Sequence, residues 1–342
     1  MKQIKKNYPI LMLIYVTILM GCKDKADTLF VSMEANQTGI SFINSVVETE
    51  ALNVMQYEYL YNGGGVGMGD FNNDGLVDIY FTGNTVENKL YINKGNFKFD
   101  DITQLAGIEG RKGWKTGVSI ADVNGDGLLD IYVCYSGLGT NQDRANQLFI
   151  NKGIDKNHVP KFVDEAAAYG LDAKGSFSTQ AVFFDYDLDG DLDMFLLNHS
   201  KTFYSPFYNS TKLRNTRHPF FGNSLYRNDN NHFVNVSESA GIYGSGLNFG
   251  LGVAISDFNQ DGLPDIYVSN DYDEQDFLYL NMGDGTFMDA TKKSFGHISK
   301  YSMGNDAADI NNDGLVDLIT LDMFPEDNYR QKLLKGPDEY DR

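Results

Sequence analysis

A nine-residue pattern, Asp-x-Asn/Asp-x-Asp-Gly-x-x-Asp, occurs five times in this chain of 342 residues and constrains its fold more than any other feature. Successive copies start 52, 63, 72 and 52 residues apart, and they occupy residues 70–78, 122–130, 185–193, 257–265 and 309–317. Asp, Asn and Gly are common in ordinary turns, so one isolated copy would indicate no more than a turn. Five copies in the same phase indicate a repeated loop with a shared chemical task.

The loop supplies the oxygen atoms that a calcium ion prefers. Side-chain oxygens are expected from positions 1, 3, 5 and 9 and a backbone carbonyl from position 7, while glycine at position 6 permits a sharp turn. Zn²⁺ is disfavoured because no loop contains Cys or His, and Mg²⁺ is disfavoured because it keeps its waters. The sequence therefore predicts up to five Ca²⁺ ions, with ligands Asp70, Asn72, Asp74, Leu76, Asp78, Asp122, Asn124, Asp126, Leu128, Asp130, Asp185, Asp187, Asp189, Asp191, Asp193, Asp257, Asn259, Asp261, Leu263, Asp265, Asp309, Asn311, Asp313, Leu315 and Asp317.

The main alternative for such a loop is the EF-hand, which needs a Glu at position 12 and flanking helices. None of the residues at position 12 carries a carboxylate: they are Phe81, Val133, Leu196, Val268 and Thr320. Each loop is followed by a short run of apolar, aromatic and β-branched residues, such as Ile-Tyr-Phe-Thr after Asp78, which is typical of a buried strand. The loop is therefore predicted to join two strands.

The composition favours a folded protein that does not bind nucleic acid. Hydrophobic residues make up 42% of the chain and aromatic residues 13%, which is ample for a core. The formal net charge is −19, and five bound Ca²⁺ ions would bring it to about −9. A chain that stays acidic with its ions bound is a poor partner for nucleic acid.

The amino terminus has the plan of a bacterial lipoprotein signal. Residues 1–22 carry lysines, then an apolar run too short for a comfortable membrane span, and end in Leu19-Met20-Gly21-Cys22. This end resembles a lipobox, which implies lipidation at Cys22, a polar tether over residues 23–28 and an extracytoplasmic protein anchored to the outer membrane, periplasmic or surface-exposed. The alternative is an ordinary short anchor. If Cys22 is lipidated, Cys134 lacks a disulfide partner and is predicted to be a small buried hydrophobe.

A second block recurs after each loop and its strand. Residues Asn88-Lys-Leu-Tyr-Ile-Asn-Lys-Gly in the first copy read as a third strand ending in a turn, and a fourth strand starts at Phe99. Four short strands in repeats of this length predict an all-β fold, a β-propeller of four-stranded blades with calcium loops. The blades are predicted to start near residues 61, 113, 176, 247 and 301, the last one incomplete, with an outer strand over residues 29–40.

The loops, the Gly-Val steps such as Gly117-Val118, and the Asn-x-Leu-Tyr/Phe strands resemble FG-GAP/VCBS repeats, the type found in integrin α-subunit propellers. The resemblance extends from Phe30 to about Leu321 and implies about seven blades in a complete ring. The chain also resembles a subgroup of bacterial lipoproteins that often carries a carboxy-terminal ASPIC/UnbV domain. On this basis residues 29–342 are expected to hold only part of the ring of a longer or truncated protein.

An insertion at residues 199–221 separates the third and fourth loops and combines cations with aromatic residues in an acidic chain. Such a patch suits a protein or glycan ligand. The alternative is a loop that packs on a neighbouring blade. The candidate ligand surface is Lys201, Tyr204, Arg214, Arg217 and His218.

Two classes of function follow from these observations. The first is a calcium-stabilised binding or scaffolding module, without catalytic residues, lipid-anchored at the cell surface or in the periplasm. The alternative is an extracellular polysaccharide-acting enzyme, a glycosidase or lyase, for which His199 or His218 would supply a base. The enzyme alternative rests mainly on the fold, which is weak support for an activity.

Overall fold

The computed structural model of the protein describes residues 29–202, 210–272 and 274–333, which form an all-β fold of antiparallel sheets. The predicted signal, Cys22 and the tether lie outside these residues. Four sheets have four strands and one has two, and we call them blades 1 to 5 in chain order. Blades 1 and 2 contain β1 (Val66–Gly69), β2 (Asp78–Phe81), β3 (Lys89–Asn93), β4 (Phe99–Asp101), β5 (Trp114–Ala121), β6 (Asp130–Ser136), β7 (Gln147–Ile154) and β8 (Pro160–Asp164). Blades 3 to 5 contain β9 (Ser178–Phe184), β10 (Asp193–Asn198), β11 (Ser224–Asn228), β12 (Phe233–Asn235), β13 (Gly250–Ser256), β14 (Asp265–Asn270), β15 (Phe277–Asn281), β16 (Phe287–Asp289), β17 (Ser302–Ala308) and β18 (Asp317–Asp322).

The strands of each blade follow one another in chain order from the inner strand outward, as in a partial β-propeller. The nine-residue loop joins the first and second strands, with the same register in all five blades. The aspartate at position 9 begins the second strand and pairs with the last residue of the inner strand: Asp78 with Gly69, Asp130 with Ala121, Asp193 with Phe184, Asp265 with Ser256 and Asp317 with Ala308. The loop therefore sets the phase of every blade.

The core lies between blades rather than within them. One cluster joins Tyr80 and Leu90 of blade 1 to Val133 and Phe149 of blade 2, and similar clusters join blades 2 to 3 and 3 to 4. The second strands of blades 2 to 4 are buried along their whole length, as their continuous apolar runs predict. Cys134 is fully buried in one of these strands.

The described residues also form short helices that the sequence pattern did not predict, and three of the six lie just after an outer strand. They contain four to six residues and are α1 (Ala35–Thr38), α2 (Thr103–Ala106), α3 (Ala166–Tyr169), α4 (Ser210–Arg214), α5 (Thr291–Ser294) and α6 (Asn328–Leu333), with a 3₁₀ turn at Glu58–Tyr61. No helix within the described ranges has the length and apolar character needed to cross a membrane.

The outer strand expected over residues 29–40 is corrected by the structure. These residues form no strand, and α1 is followed by Gly39, whose φ of 87° places it in the left-handed region. Gly39 lies against the backbone carbonyl of Phe99, just as Gly170 and Gly241 lie against Phe233 and Phe287. The helical turn α1 thus occupies the position that the other helical turns have in their repeats. Phe30, however, is 85% exposed, and no described strand lies beside it to form a ladder.

Glycine allows neighbouring inner strands to approach closely around the axis. A Cβ added at Gly65 would lie 2.7 Å from the backbone nitrogen of Val118, and one at Gly252 would lie 2.9 Å from that of Asn305. Hydroxyl groups also join neighbouring blades: Thr82 Oγ1, directly after β2 of blade 1, donates to the carbonyl of Thr116 in β5 of blade 2 at 2.7 Å. In the next pair of blades, Thr116 Oγ1 donates to the Ser178 carbonyl at 2.8 Å.

Gly117→Ala is expected to destabilise the protein by about 1–3 kcal/mol, because its Cβ would overlap the rigid backbone carbonyl of Thr179. Gly304→Ala is the matched control, since a Cβ there meets open space, and it should change stability by less than about 0.5 kcal/mol. Urea denaturation measures both free energies of unfolding. Equal effects of the two substitutions would contradict the close approach of the inner strands.

Candidate functional site

The five loops share one pattern of hydrogen bonds. In the first loop the carboxylate of Asp70 accepts the N–H groups of Asp74 at 3.0 Å and Gly75 at 2.7 Å. Asp74 in turn accepts the N–H of Leu76 at 2.9 Å. The same three bonds recur in the other four loops. These bonds give the five loops the same local fold.

Glycine at position 6 is required by this backbone conformation. Gly75 has φ of 85° and Gly190 has φ of 98°, values that residues with a Cβ adopt only with strain. Position 4 is also left-handed, with φ of 55° at Asn73 and 59° at Leu188. Asn tolerates that region well, whereas Leu does not. The third and fourth loops, which have Leu188 and Gln260 at position 4, therefore hold more backbone strain there than the loops with Asn or Gly.

The aspartate at position 9 is buried in blades 1 to 4 and connects the loop to the third strand. Asp78 accepts the N–H of Phe71 at 3.0 Å with one oxygen and the N–H of Asn93 at 2.8 Å with the other. The equivalent pairs of bonds occur at Asp130, Asp193 and Asp265. Position 9 is thus both a predicted calcium ligand and a structural anchor.

Burial raises the pKa of these anchoring carboxyls above the ordinary value of Asp. It raises the pKa of Asp78 and of Asp130 to about 6 and the pKa of Asp193 to about 7, and the pKa of Asp265 is also raised. Neighbouring carboxylates of the same loops push these pKa values upward as well, while the backbone N–H groups oppose the rise. Each of these four loops is therefore electrostatically unfavourable with all its carboxyls ionised and no cation nearby.

The third loop contains the best-formed cluster of carboxylates. Asp185, Asp187 and Asp193 each place one oxygen within 4.8 Å of the others. Asp191 adds a buried Oδ1 atom that has no hydrogen-bond partner among the described residues. A hard cation with several oxygen ligands would satisfy that atom and neutralise the cluster, so the donor set fits Ca²⁺.

The described members of the predicted ligand surface make contacts within the protein. Arg214 binds Glu274 of blade 4 with 2.6 Å between Nη2 and Oε1, and the Glu274 side chain is only 1% exposed. Arg217 donates to the carbonyls of Asn223 and Ile242, both at 2.7 Å. These contacts are those of the alternative interpretation, in which the insertion packs on its neighbours.

The remaining members of that surface are placed as follows. His218 stacks on Phe221 with 3.9 Å between ring centroids, and its Nδ1 accepts the N–H groups of Phe220 and Phe221 at 3.2 Å. Lys201 Nζ lies 5.5 Å from the centroid of the Phe177 ring. Tyr204 lies outside the described residues.

A segment that the sequence analysis left unassigned crosses the end of the blades where the inner strands begin. We call residues 41–62 the axial strap. Asn44 exchanges hydrogen bonds with Asn84 of blade 1, at 2.6 and 2.9 Å. The Tyr57 hydroxyl donates to Ser136 Oγ of blade 2 at 3.2 Å, and the Tyr59 hydroxyl donates to Asp271 in blade 4 at 3.4 Å. The strap thus joins three blades, at the opposite end of the inner strands from the aspartate loops.

His199 lies under the strap and is 1% exposed. Its Nδ1 is 2.7 Å from the Ser200 carbonyl, which can only accept, so Nδ1 carries the proton. Its Nε2 therefore accepts from Ser136 Oγ at 2.6 Å. Burial, assisted by the nearby charge of Arg144 and opposed by the hydrogen bond to the Ser200 carbonyl, lowers the pKa of His199 to about 4. His199 and His218, the two bases of the enzyme alternative, are both used in these structural hydrogen bonds.

Between the strap and the inner strands lies a cavity of about 340 Å³. It contacts the beginnings of the inner strands of all five blades, and its lining includes Tyr59, Trp114, Thr116, Gln180 and His199. Sequence reasoning missed this cavity because its residues come from six separate stretches of chain. The single tryptophan, Trp114 at the start of β5, is the sequence feature that could have drawn attention to it.

Comparisons with known proteins agree with the repeated loops. A family model described as an FG-GAP-like repeat matches residues 70–133 and 257–320. Cartilage acidic protein 1 of Xenopus tropicalis is 26% identical over 276 residues, which cover 75% of this chain. The chain spans 39% of the length of that relative. A lectin of Agrocybe aegerita that recognises non-reducing terminal N-acetylglucosamine has a solved structure with a TM-score of 0.35 and 17% identity, over 65% of this chain and 49% of the lectin chain. That likeness is too low to support an inference about function.

Acidification is expected to destabilise the protein through His199. Its pKa of about 4 in the fold lies below the ordinary value of 6.5, so this contribution is fully present above pH 6.5 and is lost as the pH falls toward 4. The His199 contribution should fall by about 3 kcal/mol, and the difference between the wild-type and His199→Gln profiles in chemical denaturation measures it, because the raised pKa values of Asp78, Asp130 and Asp193 act in the opposite direction in both proteins. His199→Gln should lack this loss, whereas His297→Gln, at an exposed position, should follow the wild type. Parallel profiles for wild type and His199→Gln would contradict this assignment.

Proposed function

This chain carries FG-GAP-like repeats, and from that premise we propose that it is a calcium-stabilised binding module that acts outside the cytoplasm. The observation that carries the proposal is the third loop, where the carboxylates of Asp185, Asp187 and Asp193 converge and a buried oxygen of Asp191 in the same loop is satisfied by no described donor. The same hydrogen-bond pattern in the other four loops extends the proposal to five ions.

Calcium would act on stability rather than on chemistry. It would neutralise carboxylates that burial and mutual repulsion hold in an unfavourable state, and its binding free energy would add to the free energy of unfolding. The loops lie at one end of the inner strands, which leaves the strap-bearing end available for a protein or glycan ligand. Placing recognition at that end separates the stabilising ions from the binding surface.

The proposed location rests on the sequence of residues 1–22. A lysine-rich start, a short apolar run and the Leu19-Met20-Gly21-Cys22 end support export and lipidation at Cys22, with the mature protein held on the outer membrane, periplasmic or surface-exposed. Extracytoplasmic calcium is plentiful enough to fill loops of modest affinity. The proposed extracytoplasmic location and the proposed calcium binding therefore support each other.

Calcium is expected to raise the Tm relative to EDTA, because each site filled at 100 times its Kd adds about 2.7 kcal/mol of stability. Calorimetric titration should give a stoichiometry near five. Asp185→Asn should remove one site, since Asp185 belongs to the converging cluster of the third loop. An equal Tm in calcium and in EDTA would refute the structural role of the ion.

Two variants serve as controls for that experiment. Asp100→Asn makes the same change of charge at an exposed outer-strand position and should keep all five sites. Asp187→Asn gives the third loop the amide that the other four loops have at position 3, and it should retain calcium. Loss of one site in Asp100→Asn would show that net charge, rather than the loop, controls binding.

Cys22→Ala is expected to move the protein from the membrane fraction to the soluble fraction of a Gram-negative host, because acyl chains on that thiol would be its anchor. Metabolic labelling with a fatty-acid analogue measures acylation directly. Cys134→Ala changes a buried thiol and should leave both labelling and location unchanged. A labelled, membrane-bound Cys22→Ala protein would contradict the lipid anchor.

A further inference from the structure

Glycine occupies the same position of the inner strand in four of the five described blades. The position lies four residues before the partner of the position-9 aspartate, and it is Gly65, Gly117, Gly252 and Gly304 in blades 1, 2, 4 and 5. By the same register, blade 3 has Gln180. Blade 3 is therefore the one described blade in which a side chain, that of Gln180, projects from this position toward the axis.

Gln180 points into the cavity beneath the axial strap. A Cβ added at Gly117 would overlap the Gln180 side-chain amide oxygen, so the amide lies directly over that glycine. Gln180 is half-buried and lines the cavity. Its side-chain amide makes no hydrogen bond to any residue within the described ranges. An amide held there offers both a donor and an acceptor to a ligand.

The rest of the lining is polar and aromatic but uncharged. Tyr59 and Trp114 contribute rings, and Thr116 and Thr179 contribute hydroxyl oxygens whose protons are already donated to neighbouring backbone carbonyls. His199 is neutral because its Nδ1 proton is directed to a carbonyl and its Nε2 accepts. Among the described residues, those that line the cavity include no Lys, Arg, Asp or Glu, in a chain whose net charge is −19.

We infer that this cavity binds one neutral carbohydrate unit and that Gln180 is the side chain that recognises its hydroxyl groups. A sugar ring has an apolar face that packs on aromatic rings and hydroxyl groups that pair with amide and hydroxyl oxygens. Its lack of charge suits a lining without ions, and the volume of about 340 Å³ is at the lower end for small-ligand sites. The inference rests on the proposed function, because it assigns a ligand class to the strap-bearing end.

Trp114 makes the test specific, since it is the one tryptophan in the chain and it lines the cavity. A panel of neutral mono- and disaccharides is titrated against the full chain in calcium, with tryptophan emission and ligand-observed NMR as readouts. We expect saturable binding of at least one sugar that changes the Trp114 emission. Gln180→Gly should weaken it at least about tenfold through the lost hydrogen bonds.

The glycine variant is a conservative one for the fold, because it restores the residue that the other four blades have. Its Tm in calcium should equal that of the wild type. Gln142→Gly, at an exposed position outside the cavity, should bind like the wild type. A Gln180→Gly protein with unchanged affinity and unchanged Tm would overturn the role of Gln180.

Two further outcomes would overturn the ligand class. If no sugar alters Trp114 emission, the inference fails, while calcium-dependent melting would still support the proposed function. If a short uncharged peptide binds in a Gln180-dependent manner and the sugars do not, the cavity is a peptide site. Loss of calcium-dependent melting with sugar binding retained would instead contradict the proposed function alone.

Discussion

The structure depends above all on one buried carboxylate in each of blades 1 to 4. The aspartate at position 9, such as Asp130, accepts one N–H from its own loop and another from the residue Asn151 in the third strand. A single side chain thereby fixes the loop, the hairpin that the loop closes and the next strand along the chain. Because this carboxylate is buried among other carboxylates, the contacts that fix the blade also carry an electrostatic cost, which is seen in the raised pKa of Asp130.

This arrangement explains why the loops and the proposed recognition site lie apart. The aspartates gather at one end of the inner strands, where a cation can offset their charge. At the other end the inner strands approach each other across glycines such as Gly65 and Gly252, and uncharged residues line the cavity. A ligand at that end would meet little of the field that the acidic loops create, since the inner strand of blade 2 alone separates the two ends by roughly 20 Å.

The sequence predicted those parts of the fold that repeat. The loop, the buried strand after it and the count of four strands per blade follow from local patterns that occur several times, so each copy supports the others. The helical turns such as α2 were missed because four residues give too short a window for helical periodicity. The strand expected at residues 29–40 failed to form because strand propensity without a neighbouring strand makes no ladder.

Contacts that occur only once were beyond sequence reasoning. The pairing of Arg214 with Glu274 joins residues 60 positions apart, and no repeat indicated it. The pattern identified Arg214 as an available cation, whereas the fold gives it a buried carboxylate. Gln180 shows the converse case: its departure from the glycine pattern was visible in the sequence, but its meaning depended on the register of blade 3.

The axial strap also has a consequence for how the protein unfolds. Repeat arrays in which each unit contacts only its neighbours behave as nearly one-dimensional systems, and their end units can melt while the others stay folded. The strap breaks that rule, since Tyr57 contacts a residue 79 positions away and Tyr59 contacts one 212 positions away. Melting blade 4 would therefore release a contact with a segment that precedes blade 1. The strap therefore couples blades that are far apart in the sequence. Its long-range contacts are expected to form slowly during folding.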